Sequence, residues 1–276
     1  MIHQLLTGAI FNQQYLNKKF VKLTNQLENH NGYQFQTGLN IDSIPFNPQG
    51  KCNPGGIYFC LFEDLQLWLN YIDQEMFYIR LVTIPDDALV WTEQNKFKAD
   101  RLILSDRLEI GDLEVWKDPA YCLTAVKYDG LSLRFIKQQT PEICLEAVKN
   151  NDYGLLYGYA LKYVLEQTEE ICVAAVKKDG LALKYVTKQT PQICLEAVKN
   201  NGYALASVLE QTEEICLAAV QKYGCALLCV TKQTHQICLA AVQNDADALK
   251  YVLALTPEIC LATVQKDGKQ RFKMEK

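Results

Sequence analysis

Apolar positions keep one rhythm over the first part of this chain and another over the rest. From residue 118 onward the frame T-P/E-E/Q-I-C-L-x-A-V-x-x-x-G-x-A-L-x-Y-V-x-x-Q returns every 22 residues, apart from one insertion. TEEICVAAVKKDGLALKYVTKQ, residues 168–189, is followed directly by TPQICLEAVKNNGYALASVLEQ, residues 190–211. Seven copies start at Asp118, Thr140, Thr168, Thr190, Thr212, Thr234 and Thr256. A fixed period of this kind decides the fold class of that part of the chain.

Each copy predicts a helix, a turn and a second short helix. Thr is a good N-cap, Pro fits the first helical position, and acids in the first turn complement the helix dipole. Ile193, Cys194, Leu195, Ala197 and Val198 cover most of the circumference, as in a short helix buried between neighbours. Lys149, Lys177 and Lys199 suit the helix C-terminus, where Gly180, Gly202 and Gly224 are expected to supply a left-handed cap. Ala182, Leu183 and Val186 mark one face of the second helix. Helices this short are marginal alone, so they must be stabilised by stacking into an α-solenoid. The period is too short for tetratricopeptide or ankyrin units, and the leucine-rich consensus with its Asn is missing.

Three details vary the pattern. DYGLLY, from Asp152 to Tyr157, is inserted at the turn of the second copy, where repeat proteins often carry binding loops. The last copy trails into KQRFKMEK, which reads as a polar cap or frayed tail. The copies also alternate, with VLEQ and VTKQ endings in turn, so a 44-residue pair reads as the unit of growth.

Before the repeats, residues 2–20 read as a short amphipathic helix. FVKLTN, GIYFC, FYIRLVTI, ALVWTE and DRLIL read as strands, EDLQLWLNYI as a helix, and NGYQFQTGLN and PFNPQGKCNPGG as turn-rich loops. The fold class expected is therefore an α+β amino-terminal domain, residues 1–112, followed by an all-α solenoid of seven repeats, residues 118–276, with a degenerate cap.

At 276 residues, 49% hydrophobic and 22% charged, the chain has an ordinary globular composition, and a net charge of -4 argues against nucleic acid or an anionic membrane as partner. The opening MIHQLLTGAIF has neither a basic head nor a small-residue cleavage site, so an intracellular protein is expected. Eleven cysteines raise the question of a disulfide framework. Seven of them recur in the fifth position of each copy, as Cys122, Cys144, Cys172, Cys194, Cys216, Cys238 and Cys260. Equivalent helices stack roughly 8–10 Å apart, too far for a disulfide or a shared zinc, so these read as buried thiols used as small apolar side chains. Cys225 and Cys229 are spaced i, i+4 without His or acid to complete a metal site. Neither metal nor cofactor is expected.

Arg134-Phe135, Lys162-Tyr163, Lys184-Tyr185 and Lys250-Tyr251 place a cation beside an aromatic at one repeat position. Such a stripe can stack single-stranded nucleic acid, but tyrosine packing between repeats with lysine snorkelling outward explains it more simply. His30 with Cys52 or Cys60 could form a nucleophile pair only if the fold brought them together.

The strings NGYQFQTGLN, PFNPQGKCNPGGIYFC, VTIPDD and FKADRLIL, followed by the cysteine-bearing repeats, resemble a family of uncharacterised proteins from giant DNA viruses of amoebae. The repeats resemble a domain of unknown function also found in some bacteria. The resemblance implies a viral product made in a host cell and brings no catalytic residues. A second resemblance is to ADP-ribosyltransferase-like folds, in the order Lys22-Leu23-Thr24, Gly38-Leu39, Gly56-Ile57-Tyr58-Phe59 and Asp100-Arg101. It implies that Tyr58 could stack on a nicotinamide. Lys22 stands where that pattern has His, and Asp100 or Arg101 where it has Glu.

These readings lead to a non-enzymatic adaptor that binds a host or viral protein in the host cytoplasm. Asp152, Tyr153, Leu155, Tyr157, Lys162, Lys184 and Lys250 are its candidate contact residues. The alternatives are a degenerate transferase module centred on Tyr58 and a structural component of the virion.

Overall fold

A computed structural model describes residues 3–30, 32–48, 53–71, 74–150 and 159–274. It divides into two units, one formed by Met1–Tyr121 with Phe135–Lys137 and the other by Cys122–Arg134 with Gln138–Lys276.

The first unit is built on an antiparallel sheet. In chain order its strands are β1 (Gln4–Thr7), β2 (Phe20–Thr24), β3 (Asn29–His30), β4 (Tyr33–Gln34), β5 (Gly38–Ile41), β6 (Ile57–Leu61), β7 (Asn70–Tyr71), β8 (Gln74–Glu75), β9 (Tyr78–Thr83), β10 (Leu89–Thr92), β11 (Phe97–Ala99), β12 (Arg101–Leu104) and β13 (Leu108–Glu109). Among the described residues the main sheet runs β1-β10-β11-β6-β2-β9-β12-β5, with β13 also on β9, while β3-β4 and β7-β8 are separate hairpins. Alternation explains the burial over most of β9: Arg80 and Val82 on one face are buried while Leu81 and Thr83 on the other are exposed.

The expected opening helix is half right. Residues 4–7 pair with Leu89–Thr92 as β1, and only Gly8–Gln14 form helix α1, with Thr7 as its N-cap. Phe11 of α1 is fully buried and meets Phe20, Phe59 and Phe97 at ring-centroid distances of 4.9, 6.0 and 5.4 Å, the centre of the apolar core. EDLQLWLNYI gives the 3-10 helix Phe62–Trp68 rather than an α-helix.

The second unit is all helical. Its α-helices are α2 (Pro119–Tyr128), α3 (Pro141–Lys149), α4 (Tyr159–Lys162), α5 (Glu169–Lys178), α6 (Pro191–Asn200), α7 (Glu213–Lys222), α8 (His235–Asn244) and α9 (Pro257–Met274). From α5 to α8 each is followed by a six-residue 3-10 helix, as in Gly180–Tyr185 and Gly202–Ser207. Among the described residues α3 packs on α5, α5 to α9 pack each on the next, and so do the 3-10 helices from Gly180 to Tyr251, so the unit is a solenoid of two helical layers. Thr168, Thr190, Thr212 and Thr234 cap their helices by accepting from the backbone N–H three residues on.

The glycines do a different job from the one expected. Gly180, Gly202 and Gly224 do not adopt positive φ; the chain enters them from an extended residue and they begin the 3-10 helix. A Cβ on Gly180, Gly202 or Gly224 would lie 2.3, 2.6 or 2.5 Å from the carbonyl oxygen of Ala197, Ala219 or Ala241 in the next repeat. Close approach between repeats therefore selects glycine here. The tail read as a polar cap or frayed end is part of α9, which runs on to Met274.

Candidate functional site

The cysteine position acquires its meaning from a glutamine. Gln189, the last residue of its repeat, donates from Nε2 to the Ser207 carbonyl at 2.8 Å, and its Oε1 accepts from the Leu209 N–H at 3.0 Å. Cys194 Sγ donates to that same Oε1 at 3.5 Å. The motif recurs: Gln167 with Tyr185, Thr187 and Cys172; Gln211 with Cys229, Thr231 and Cys216; Gln233 with Tyr251, Leu253 and Cys238. Burial pushes the Cys144, Cys172, Cys194, Cys216 and Cys238 thiols above their ordinary pKa, so they stay protonated donors. The thiol is a small buried group, as the sequence suggests, and also a hydrogen-bond donor. The final Gln, which the first five copies spell out at Gln139, Gln167, Gln189, Gln211 and Gln233, was the signal for this staple.

Cys260 departs from the series and is exposed. The residue at the glutamine position of its neighbour is Leu255, so no staple forms there.

The staple fixes the loop that follows each 3-10 helix, and that loop carries the most exposed apolar residues of the unit. Leu165, Leu209 and Leu253 are 74%, 78% and 82% exposed. They occupy one repeat position in alternate copies, with Thr187 and Thr231 between them. Lys162, Lys184 and Lys250, three residues earlier, are exposed, and each ammonium lies over its neighbouring tyrosine ring, at 5.3, 4.8 and 5.0 Å. The cation–aromatic stripe thus resolves into local pairs. Asp152, Tyr153, Leu155 and Tyr157 lie outside the described residues.

In the first unit the site-forming feature is a parting of strands. β2 and β6 pair only through Phe20–Leu61 and Val21–Cys60, after which β2 continues along β9 alone. The resulting cleft encloses about 670 Å³, its open mouth included, and is lined by Lys22, Leu23 and Thr24 from one strand and Tyr58, Phe59 and Cys60 from the other. His30, Phe35, Trp68, Met76 and Lys96 complete its walls. Burial drives the Lys22 pKa down to about 8 and the Cys60 thiol up to about 12. His30 is lowered by burial and by the Lys22 charge. His30 and Cys60 therefore share the cleft, but a thiol held in this state is no nucleophile.

Of the transferase-like residues, Lys22, Leu23, Thr24, Tyr58 and Phe59 line the cleft, while Gly38, Leu39, Asp100 and Arg101 do not. Asp100 accepts from the Leu89 N–H and pairs with Arg101, a local structural use. Glu28 is likewise committed. Burial raises its carboxyl pKa, but hydrogen bonds from Arg80 and Arg107, at 2.8 and 3.0 Å, outweigh this and hold it below its ordinary value. Among the described residues no group of three or more His, Cys, Asp or Glu is placed to hold a metal ion.

Residues 142–189 and 168–211 match the family model described as Domain of unknown function (DUF4116), each match spanning two consecutive repeats. Uncharacterized protein R869 of Acanthamoeba polyphaga mimivirus is 34% identical over 108 residues, which cover 38% of this chain and 78% of that protein. The chain belongs to this giant-virus family. Two further mimivirus proteins that carry ankyrin repeat in their names are similar to it over shorter shares of their length. R229 is 34% identical over 34% of this chain and 32% of its own, and R868 is 26% identical over 41% and 57%. No solved structure matches the chain. Within the family, then, it is a repeat protein with an α+β amino-terminal unit. Among its described residues no helix is long and apolar enough to cross a membrane.

Proposed function

We propose that the solenoid is a recognition surface for a host or viral protein in the infected cell. The observation that carries this reading is the row of Leu165, Leu209 and Leu253, exposed at the same loop position in alternate repeats. Single exposed leucines are ordinary, but a periodic row of them on loops held rigid by the glutamine staple is not. The row suits an elongated partner presenting apolar side chains every two repeats, roughly 16–20 Å apart at ordinary helix spacing. Lys162, Lys184 and Lys250, on the short helices that precede these loops, supply a polar rim to that contact. Names of relatives that mention ankyrin repeats support a binding role for the family's arrays, although the 22-residue unit here is built differently.

The test is affinity capture from infected amoebal cells with the intact chain and with the triple variant Leu165→Asp, Leu209→Asp, Leu253→Asp. A partner recovered by the first and lost by the second, with unchanged circular dichroism and melting, supports the surface. The same proteins recovered by both would remove it. Counting copies in purified particles separates the virion reading from action in the cytoplasm.

A second reading, a transferase centred on Tyr58, is favoured by the cleft that gathers Lys22, Thr24 and Tyr58. Among the described residues no carboxylate lines that cleft, and such chemistry needs one. NAD consumption by the intact chain, abolished by Tyr58→Ala, is the result that would restore it.

A further inference from the structure

Lys22 is a residue that the folding of the first unit does not explain. It is only 8% exposed, and its ammonium lies 4.7 Å from the Phe35 ring centroid. Among the described residues that ammonium makes no hydrogen bond and no ion pair. An ammonium buried without a partner is costly, and a methionine would fill the same space at less cost. Groups kept in that condition beside a cleft are candidates for binding or chemistry.

The surroundings define what could be bound. Lys96, also in the cleft, holds its ammonium 4.6 Å from the Tyr58 ring. Asp42 lines an adjoining depression with Lys22, His30 and Tyr58, but its two oxygens accept from the Ile44 and Gly56 N–H groups at 2.9 and 2.7 Å. The carboxylate of Glu28 is taken by Arg80 and Arg107. Cationic side chains thus meet an aromatic wall; Asp42 and Glu28 are held by other partners, and Glu93 pairs at 3.4 Å with Lys96 rather than with Lys22. A metal ion or a cationic ligand would be repelled.

We propose that this cleft binds a small organic anion, with its carboxylate or phosphate group on the Lys22 ammonium and its flat apolar body against Tyr58 and Trp68. The anion supplies the partner that Lys22 lacks, and the low local dielectric strengthens the pair. Tyr58 and Trp68 add apolar contact and give preference for a ring over inorganic phosphate. Lys22 is a binding residue in this account; no bond is made or broken.

The experiment uses the intact chain labelled with ¹³C at its lysine ε-carbons and three probes: phenyl phosphate, inorganic phosphate and benzyl alcohol. Phenyl phosphate is expected to shift the Lys22 resonance and to move its titration to higher pH. Lys22→Met should weaken phenyl phosphate roughly tenfold or more, the loss of one charge-assisted contact, while leaving benzyl alcohol unaffected. Tyr58→Ala should weaken phenyl phosphate and spare inorganic phosphate. Equal binding of phenyl phosphate and benzyl alcohol would overturn the proposal. So would a Lys22 resonance that phenyl phosphate leaves unmoved, which makes Lys22 a buried structural cation; that readout stands even if the variants fail to fold.

Discussion

Gln189 uses both ends of its amide. The NH₂ group bonds the Ser207 carbonyl and the oxygen takes the Leu209 N–H and the Cys194 thiol, so one side chain ties two successive loops to a helix. Gln189→Met would leave a carbonyl, an amide and a thiol without partners inside a packed interface. The expected cost is about 2–4 kcal/mol in urea or thermal unfolding. Gly202→Ala tests the second residue-scale rule, since the new Cβ would meet the Ala219 carbonyl at 2.6 Å. A loss of about 1–3 kcal/mol is expected from forcing the repeats apart, and an unchanged midpoint would refute the close-approach explanation. The cysteine ladder makes a chemical prediction as well. In native protein a maleimide should label Cys260 first, and reach Cys172, Cys194, Cys216 and Cys238 only on unfolding, as peptide mapping would record. A recurring Thr before Ile-Cys was enough to place the caps. The role of the recurring Gln was not readable, because its partners lie in the neighbouring repeat and period alone does not say what a side chain touches.

At the scale of elements, the strands were legible where alternation was strong: β2, β9, β10 and β12 lie within the stretches expected to be strands, and β6 runs one residue past GIYFC. Residues 4–7 were not, since their pairing with Leu89–Thr92 is set by a partner more than eighty residues away. The second helix of each repeat is a 3-10 helix for a local reason: six residues fit between the extended residues Asp179 and Val186, closed by the bonds Ala182 N–H to Asp179 O and Val186 N–H to Leu183 O. The cleft arises from two strands that part after Val21 and Cys60, a nonlocal event that leaves no mark in either strand.

That geometry gives the first unit a defined pH response. Lys22 titrates at about 8 when folded and 10.5 when free, so between these values the unfolded chain holds more protons and stability rises with pH. Cys60 works in the opposite sense. Its thiol titrates at about 12 in the fold against 9.0 when free, so above pH 9 stability falls. His30, lowered from 6.5, adds a loss of stability on the acid side as pH falls through its range. Melting of the intact chain should therefore climb from pH 8, level off once Cys60 opposes Lys22, and then decline. Lys22→Met should melt higher than the parent at pH 7 and lack the climb. A variant that melts lower would assign Lys22 a stabilising structural role.

At the scale of the whole molecule, the alternation seen in the sequence has a physical basis. Asn200 accepts from the Gly180 N–H at 2.8 Å and donates to the Lys177 carbonyl at 2.8 Å, and Asn244 does the same with Gly224 and Gln221. Thr190 and Thr234 donate to Glu169 and Glu213 in the same alternate interfaces. The repeats are thus cross-linked in pairs of 44 residues; the family match at 168–211 covers one such pair, while that at 142–189 joins its first repeat to the one before. The exposed leucines follow the same alternation, which is why they form a row with a two-repeat spacing. Alternation could be read from the sequence, but not which edge it would mark, because exposure depends on how one loop stacks on the next.

The measurement that bears most directly on the proposed recognition surface is site-specific photo-crosslinking in infected cells. A photoreactive amino acid would be placed singly at residues 165, 209 and 253, and at Lys199 and Lys222, which stand at the opposite ends of the helices. One partner captured from all three leucine positions and from neither lysine position is the result expected. Equal capture from both edges, or a different protein from each leucine position, would contradict the account.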